Sequence, residues 1–443
     1  MQTDADVIVV GAGVAGMAAA LDLVRGDMKV AIVEARDRIG GRVYTKQDPV
    51  SNRPIELGAE FIHGRPSEIL DRLRELNIDP IASSGEDWCE QAGRLTQCDL
   101  FSDVDALLAK MRDDEPDESF LEFIQRCCPE SGEETKERAR AYITGFHAAD
   151  PAAISVHSLV RGMRADENIE GERAFRIPGG YAVLIEFFRK RLSTAGVPFR
   201  LNTMVSEVRW SNHKVVLSCH TDEGHKYFSA PRVLLTLPLA VLQLRPADPG
   251  ALRFIPDLPR SKKSALSHLA MGKAMRVTLQ FRERFWEKVQ PLGSKTLGEM
   301  RFLFSRRKWF PTWWTTMPER RPVITGWAPF HDAEELSGQD AAMIFSSACQ
   351  TLGGLLHLGE QEVEDVVEAA TFHDWLTDPF SRGAYSYVKV GGDSAQADLA
   401  TPIEHTLFFA GEAADVSGYH GTVHGAIASG QRAAQQILDK MRH

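Results

Sequence analysis

The sequence predicts an α/β fold in which a Rossmann-like nucleotide-binding domain carries a second domain. Residues 7–10 form a short apolar run, followed by a glycine-rich turn, a helical stretch and another apolar run at 30–33. This is the order of a buried strand, a helix and a parallel strand. The chain also has 443 residues, more than one hydrophobic core usually serves, so two domains are expected.

The turn after the first strand has the sequence Gly-Ala-Gly-Val-Ala-Gly. Gly11 permits the tight turn, Gly13 lets a pyrophosphate approach the backbone, and Gly16 lets the helix pack closely on the strand. Glu34 ends the second strand, where an acidic side chain accepts hydrogen bonds from a ribose. The pattern predicts a bound dinucleotide but does not decide which one.

Composition argues against several classes of protein. The formal net charge is −10, and the basic clusters at 260–263 and 305–308 are short and isolated, so nucleic-acid binding is not expected. No apolar run approaches the ~20 residues of a membrane helix. Asp4 and Asp6 lead straight into the first strand, which is not the pattern of a signal peptide. We therefore expect a cytoplasmic protein that binds neither nucleic acid nor a membrane.

The cysteines show neither a CxxC pair nor the spacing of metal ligands. They are Cys89, Cys98, Cys127, Cys128, Cys219 and Cys349. Cytoplasmic proteins keep such cysteines reduced. We therefore expect free thiols and no metal site.

A second glycine pair follows Glu34. Residues 35–42, Ala-Arg-Asp-Arg-Ile-Gly-Gly-Arg, place two glycines beside arginines, so that backbone and a guanidinium can approach a second stretch of phosphate. Here the chain begins to resemble the flavin-dependent amine oxidases, a family that includes monoamine oxidases, polyamine oxidases and flavin-type histone lysine demethylases. The resemblance continues through residues 56–64, 177–180, 235–242, 281–286, 375–387 and 407–433.

The resemblance implies that the dinucleotide is FAD. In a simple NAD enzyme the cofactor contacts cluster in the first half of the chain, whereas here matching motifs return near the C-terminus. A helix is predicted from about Thr422, and the resemblance implies that its N-terminus points at the isoalloxazine ring. By resemblance, the FAD contacts fall on Gly11, Gly13, Gly16, Glu34, Arg36, Gly41, Arg42, Gly58, Ala59, Glu60, Phe61, Val205, Gly411, Glu412, Thr422 and Val423.

The same resemblance divides the chain into a two-dinucleotide-binding FAD domain and an inserted α+β substrate-binding domain. We expect the FAD domain to consist of residues 1–84, 176–260 and 371–443, and the substrate-binding domain of 85–175 and 261–370. Period and turn signals predict short strands at 198–210, 215–220 and 226–228. They predict helices at 104–111, 120–127, 133–146 and 341–356.

Three residues match the substrate side of the family's site. Tyr385 matches an aromatic residue in front of the flavin, where an aromatic face orients an amine. Trp375 matches an indole that borders the flavin ring. His63 matches a pocket position where polyamine oxidases carry a histidine or an acid, although a lone histidine is more often structural.

Other side chains are expected near the same ring. Thr422 and Tyr419 lie at the entrance to the C-terminal helix. One of Trp313 and Trp314 is a candidate for a second aromatic wall, and the sequence does not choose between them.

One position departs from the family pattern. The family carries a lysine five residues before the phenylalanine that is Phe281 here, and that lysine holds a water on flavin N5; this chain has Arg276 instead. Lys273 is an odd number of residues from Arg276, so on a strand it points to the other face. Arginine stays protonated and cannot act as a neutral base. We hypothesise altered oxygen reactivity or an amino-acid-like substrate.

The resemblance implies an enzyme that oxidises a small-molecule amine. A hydride passes from the α carbon to flavin N5, the imine is hydrolysed, and oxygen is reduced to hydrogen peroxide. The alternatives are a flavin-dependent desaturase of a non-amine substrate and a catalytically silent flavoprotein scaffold. The choice among monoamine, polyamine and amino acid stays open, as does the oligomeric state.

Ala384 generates a first testable prediction. Monoamine oxidases carry at this position the cysteine that bonds to the flavin, and alanine offers no sulfur for such a bond. Acid precipitation should therefore leave the flavin in the supernatant. Flavin absorbance that stays with the precipitated polypeptide would show a covalent link.

Overall fold

The computed structural model describes residues 3–48, 51–99, 102–291 and 295–439. Its strands are β1 (Val7–Val10), β2 (Val30–Val33), β3 (Thr45–Gln47), β4 (Pro54–Glu56), β5 (Ile62–His63), β6 (Ile81–Ala82), β7 (Glu86–Gln91), β8 (Arg94–Gln97), β9 (Ala174–Arg176), β10 (Phe199–Arg200), β11 (Met204–Ser211), β12 (Lys214–Thr221), β13 (Gly224–Ala230), β14 (Arg232–Leu235), β15 (Arg253–Ile255), β16 (Leu269–Met271), β17 (Ala274–Phe281), β18 (Met300–Phe304), β19 (Thr312–Thr315), β20 (Val323–Pro329), β21 (Val367–Phe372), β22 (Ser386–Val388) and β23 (Leu407–Phe409).

Its helices are α1 (Val14–Arg25), α2 (Ser67–Glu75), α3 (Ser102–Leu108), α4 (Phe120–Cys127), α5 (Glu133–Phe146), α6 (Val156–Glu167), α7 (Ala182–Thr194), α8 (Leu239–Leu242), α9 (Arg260–Ser267), α10 (Phe330–Leu336), α11 (Ala341–Leu356), α12 (Glu360–Glu364), α13 (Ala395–Ala400) and α14 (Val423–Asp439). Short 3-10 turns lie at Phe285–Lys288, Leu297–Glu299 and Glu412–Ala414.

A parallel sheet lies at the centre of the nucleotide-binding part. Five strands of the described chain pair in the order β10-β2-β1-β14-β23. Helices α1, α7 and α14 pack on one face, and the antiparallel strands β11 to β13 pack on the other. With both faces covered, β1, β2 and β14 are buried along their whole length, which explains their apolar runs. The predicted strand–helix–strand unit and the α/β fold class are confirmed.

A second sheet forms the other wall of the molecule. Within the described residues it runs in the order β21-β17-β20-β19-β18-β7-β8. Helices α10, α11 and α12 pack against one of its faces and share its apolar core. Helices α3 to α6 form a separate apolar cluster beside it.

The structure tests the predicted elements directly. Helices at 120–127, 133–146 and 341–356 are confirmed at those bounds. The single strand predicted over 198–210 is wrong, because the chain breaks into β10 and β11 at Asn202, whose φ is 47°. β10 joins the parallel sheet, whereas β11 pairs with β12 in the antiparallel one. The β7–β8 hairpin was not predicted.

The expectation of six free thiols is wrong for one pair. Cys89 and Cys98 form a disulfide across the β7–β8 hairpin, with their Cα atoms 5.7 Å apart. The two cysteines are nine residues apart, and the sequence offered no strand pairing that would bring them together. The other four cysteines, all within the described residues, are free.

Across the described residues, no helix combines the length and hydropathy needed to cross a membrane.

Candidate active site

A cavity of about 1390 Å³ lies between the two sheets and is closed on a third side by α5 and α6. It runs from the glycine-rich turn after β1 to the β7–β8 hairpin at its mouth. Small-molecule pockets usually have volumes of roughly 300–1,000 Å³, so this one has room for a large cofactor and a second molecule. The residues predicted for cofactor and substrate line it, apart from Gly16 and Trp313.

The glycines of the first turn divide into two kinds. A Cβ at Gly16 would lie 2.1 Å from the Gly11 carbonyl oxygen, and a Cβ at Gly11 would lie 2.7 Å from Thr236 Oγ1. These two glycines therefore permit close packing. A Cβ at Gly13 would meet no atom of the described chain within 4 Å, because it would project into open space.

Gly13 is also the N-cap of α1. No side chain of the described residues caps this helix end, and Gly13, Val14 and Ala15 line the cavity. The first N–H groups of a helix have no partner inside the helix, and the helix dipole favours negative charge there. The turn therefore fits a pyrophosphate.

Glu34 follows β2 at the edge of the same turn. Its carboxylate is 5% exposed and accepts hydrogen bonds from the backbone nitrogens of Ala12, at 2.8 Å, and Arg36, at 2.9 Å. The Arg36 guanidinium in turn donates to Asp378 Oδ1 at 2.6 Å. Glu34 is thus fixed against the turn and borders the cavity, as a ribose ligand requires.

A second helix N-terminus faces the cavity from the other end of the chain. Helix α14 begins at Val423, and Thr422 Oγ1 caps it by accepting a hydrogen bond from Gly425 N at 2.9 Å. A Cβ at Gly430 would lie 2.2 Å from the Ala15 carbonyl oxygen, so α14 packs directly on α1. The predicted start of this helix is confirmed, and its capping residue and first residue both line the cavity.

Glu412 ties the C-terminal turn to the second glycine pair. Its Oε1 accepts from Arg42 at 2.9 Å, and its Oε2 accepts from Ser386 Oγ at 2.6 Å and from Gly421 N at 3.1 Å. Burial opposes ionisation of Glu412, but Arg42 and the hydrogen bonds from Ser386 hold its pKa below the usual range. Arg42 also donates to the Ala384 carbonyl at 2.6 Å.

The other predicted cofactor residues take up positions along the same wall. The cavity is lined by Gly41, Gly58, Ala59, Phe61, Val205 and Gly411. With two helix N-termini, a buried acidic side chain and an uncapped turn, the residues present fit an extended dinucleotide.

Aromatic side chains wall the remaining space. Tyr385 lines the cavity, and its hydroxyl donates to the Phe146 carbonyl at the end of α5. Trp375 is held by a hydrogen bond from its Nε1 to the Leu57 carbonyl, 2.8 Å away. Neighbouring residues of a strand face opposite sides, and on β19 it is Trp314 that lines the cavity, while Trp313 is fully buried in the core.

Several aromatic residues of this wall were not predicted. Phe302 and Phe304 on β18, Trp327 on β20, and Tyr142 on α5 all line the cavity. The Tyr142 ring stacks on Phe146, with centroids 5.4 Å apart. The alternation of aromatic residues in β18 signals a half-buried strand, but it does not indicate which sheet face meets the site.

Arg276 and Glu60 form a buried ion pair on the cavity wall. Arg276 Nη2 lies 2.7 Å from Glu60 Oε2, and Nη1 donates to the Gly58 carbonyl at 3.1 Å. Glu60 also accepts from Arg176 Nε at 2.7 Å and from Trp314 Nε1 at 3.1 Å. Burial alone would raise the pKa of Glu60, but Arg276 and Arg176 together lower it to about 2.

This pairing changes the interpretation of two predicted residues. Both carboxylate oxygens of Glu60 are taken by Arg176, Arg276 and Trp314, so Glu60 positions side chains on the wall besides bordering the cofactor space. The Arg276 charge is neutralised, and its Nε is buried without a partner among the described residues. Lys273 lies just before β17 and not on it, so the strand-position argument does not apply; its partly exposed side chain pairs with Glu334.

The cavity also contains uncharged histidines. Burial lowers the pKa of His147 and of His424 to about 3, and a neighbouring histidine adds a smaller effect in each case. Burial lowers the pKa of His63 to about 4. His420 lines the same space, and burial lowers its pKa as well. None of these four imidazoles carries a charge near neutral pH, so they do not repel an incoming cation.

The model of the family "flavin containing amine oxidoreductase" matches residues 14–438. The chain belongs to this family. Membership confirms the predicted relationship and the FAD cofactor.

Individual relatives agree with this assignment. Lysine-specific histone demethylase 2 of Homo sapiens is 30% identical, and the match covers 97% of this chain and 53% of the demethylase. Probable polyamine oxidase 4 of Arabidopsis thaliana is 28% identical, and the match covers 97% of this chain and 86% of that oxidase. The chain therefore spans about half the length of the demethylase. Putrescine oxidase bound to putrescine has a similar fold, with a TM-score of 0.81, 21% identity and 99% of both chains covered. Cyclohexylamine oxidase from Brevibacterium oxydans has a TM-score of 0.79, 19% identity, and 99% and 100% covered.

Gly13 and Gly16 generate a paired prediction. Gly13→Ala should leave the unfolding free energy of the apoprotein unchanged, because the new Cβ meets open space and the φ of −72° suits alanine. It should weaken FAD binding about tenfold, a loss of about 1.4 kcal/mol, since the methyl group occupies the approach of the pyrophosphate. Urea unfolding of the apoprotein and a flavin fluorescence titration measure the two quantities.

The matched control is Gly16→Ala. Its Cβ would overlap the Gly11 carbonyl, so apoprotein stability should fall by about 1–3 kcal/mol. Unchanged FAD affinity in the Gly13 variant would contradict the assignment of this turn to the pyrophosphate.

Glu60 generates a second prediction. Glu60→Gln leaves the guanidinium groups of Arg176 and Arg276 buried without a carboxylate, so the free energy of unfolding should fall by about 3–5 kcal/mol. Glu186→Gln, which removes an exposed pair with Arg189 on α7, should cost about 1 kcal/mol or less. Chemical unfolding of both apoproteins measures the difference, and equal losses would contradict the role given to Glu60.

Proposed function

We propose that the protein is a FAD-dependent amine oxidase. The observation that carries this proposal is a single cavity that joins two helix N-termini, suited to the cofactor, to an aromatic chamber walled by Tyr385 and Trp314. When bound at these residues, FAD would supply the redox chemistry, namely hydride acceptance from the carbon next to the amine nitrogen and reduction of oxygen to hydrogen peroxide. Hydrolysis of the imine would then give an aldehyde or a ketone.

The chain's own residues orient the amine and exclude water. The faces of Tyr385 and Trp314 attract an amine that arrives as a cation. Burial raises the pKa of the Tyr385 hydroxyl, so this residue stays uncharged and donates to Phe146. The neutral His63 and His424 add no charge, and an apolar chamber favours the unprotonated amine that hydride transfer requires.

We propose that Arg276 has a different role from the lysine that the family pattern carries at this position. Its ion pair with Glu60 leaves Nε as the free donor, which we propose holds a water against the bound flavin. Because Glu60 neutralises its charge, the pair gives no support to an amino acid as the substrate.

We propose a substrate with a second cationic group, such as a diamine. Asp166 on α6 borders the cavity beside Glu172 and close to Tyr142. Burial, together with Glu172, raises the pKa of Asp166 to about 6, so it is ionised at neutral pH. The putrescine bound in the similar putrescine oxidase structure supports a diamine over a monoamine.

Further proposals concern the state and organisation of the protein. Ala384 borders the cavity and carries no sulfur, which supports a non-covalent flavin. The strands of the parallel sheet come from 1–84, 176–260 and 371–443, which supports the proposed division from 85–175 and 261–370. The four free cysteines support a cytoplasmic location, whereas the Cys89–Cys98 bond weighs against it.

Product stoichiometry tests the proposed function. Putrescine, cyclohexylamine and a panel of polyamines and amino acids are incubated with the holoenzyme, while oxygen uptake, peroxide and the carbonyl product are measured together. The carbonyl product is an aldehyde from putrescine or a polyamine, a ketone from cyclohexylamine and a keto acid from an amino acid. We expect equal amounts of all three with at least one amine. Flavin reduction only by a non-amine would indicate a desaturase, and no turnover with any compound would indicate a silent scaffold.

Asp166 generates a prediction about selectivity. Asp166→Asn should raise the KM for putrescine about tenfold, corresponding to one charge-assisted contact of about 1.4 kcal/mol, and should leave the KM for cyclohexylamine unchanged. In the parent enzyme the KM for putrescine should rise as the pH falls below about 6, because Asp166 becomes protonated. The part of this rise in KM that comes from protonation of Asp166 should be absent in Asp166→Asn. If the substitution changed the KM for putrescine and the KM for cyclohexylamine equally, recognition of a second cation would be contradicted.

A further inference from the structure

The Cys89–Cys98 disulfide lies at the mouth of the cavity. Cys89 lines the cavity together with Glu90, Gln91 and Ala92, which follow it on the β7–β8 hairpin. Cys98 comes just after β8 and is tied to β7 by a hydrogen bond from its N–H to the Asp87 carbonyl at 3.0 Å. A molecule leaving the aromatic chamber on this side therefore passes the sulfur-bearing hairpin.

The hairpin belongs to the wall of the cavity. β7 pairs with β18, and Cys89 is the register partner of Phe304, which also lines the cavity. Arg306, two residues further on, lines it too. β8 is the edge strand of the sheet, so the disulfide ties the outermost strand to the cavity wall.

The other cysteines differ in both environment and chemistry. Burial raises the pKa of the Cys219 and Cys349 thiols to about 12, so these two remain protonated and unreactive. Neither lines the cavity within the described residues. Cys127 and Cys128 do not line it either, so Cys89 is the one cysteine of the described residues that borders the cavity.

We propose that Cys89 and Cys98 are oxidised to their disulfide by the hydrogen peroxide that the enzyme's own turnover releases into this cavity. This inference rests on the proposed function, which supplies the oxidant. Peroxide formed in an enclosed site meets Cys89 at a high local concentration before it is diluted in bulk solvent.

The chemistry balances with peroxide alone. The Cys89 thiolate attacks one peroxide oxygen, the O–O bond breaks, and the released hydroxide takes up a proton to form water. Cys98 then attacks the sulfur of the resulting sulfenic acid, the S–O bond breaks, and a second water leaves as the S–S bond forms. Two thiols lose two electrons and one peroxide gains them.

We expect the Cys89–Cys98 disulfide to affect the opening of the cavity and not the oxidation of the amine. It fixes the edge strand β8 to β7 beside Glu90, whose carboxylate pairs with Arg307 at 2.6 Å. Reduction removes this cross-link and leaves the two strands joined by the hairpin turn and their backbone hydrogen bonds. The reduced enzyme should therefore differ from the oxidised one in KM for the amine, with kcat unchanged.

The test uses the intact holoenzyme. A phosphine first reduces the disulfide, and the enzyme is desalted without oxygen. Its flavin is then reduced either by putrescine or by light and EDTA. Oxygen is finally admitted in the presence of catalase. A parallel sample with oxidised flavin receives the same amount of peroxide from outside. Alkylation and mass spectrometry quantify the thiols, with Cys219 and Cys349 as internal controls.

For each molecule of peroxide, we expect turnover to form at least ten times more Cys89–Cys98 disulfide than added peroxide does. Catalase should suppress only the reaction with added peroxide. Cys219 and Cys349 should stay reduced in both samples. Equal yields in the two samples, suppression of both by catalase, or no bond after many turnovers would overturn the inference. Flavin bleaching by putrescine reports the proposed amine oxidation separately, and the light-driven arm needs no amine.

Two variants test the order of events. Cys98→Ser should stop the reaction at the Cys89 sulfenic acid, which dimedone traps, whereas Cys89→Ser should leave Cys98 reduced. Trapping on Cys98 in the second variant would contradict Cys89 as the site of attack.

Discussion

The close packing of α1 on α14 is the constraint on which the rest of the site depends. Gly16 lets α1 approach the first strand, and Gly430 lets α14 lie against the backbone of Ala15. Two helices from opposite ends of the chain thereby present their N-termini to one cavity, and both are suited to negative charge. Glu412 then joins the two halves through Arg42, so that the cofactor space has a defined shape before anything binds.

The reacting end of the cavity depends on a different interaction, the buried carboxylate of Glu60. It sets the guanidinium of Arg276 and the indole of Trp314 at the same time, and Arg176 supplies a second cation that keeps it ionised. The chamber therefore combines an aromatic wall, a neutralised arginine and uncharged imidazoles. Such a surface neither repels a cationic amine nor stabilises it so strongly that the neutral form is lost.

The sequence predicts the nucleotide-binding half well because the interactions there are local. The first glycine turn, Glu34 and the start of α14 lie within short segments whose pattern requires a particular backbone. The three partners of Glu60 lie 116, 216 and 254 residues away, and only the register of distant strands brings them together. The same reason explains why Trp314 could not be separated from Trp313. The Cys89–Cys98 pair is local, only nine residues apart, and it was missed because the β7–β8 hairpin was not predicted.

The central claim is that a flavin held by these two helix ends oxidises an amine placed against Tyr385 and Trp314. The visible spectrum of the purified holoenzyme during anaerobic addition of amines tests it most directly, since it follows the hydride transfer without oxygen or later steps. We expect a flavin spectrum with one FAD per chain that putrescine or another amine bleaches. A protein that binds no FAD, or a bound flavin that no amine bleaches, would contradict it.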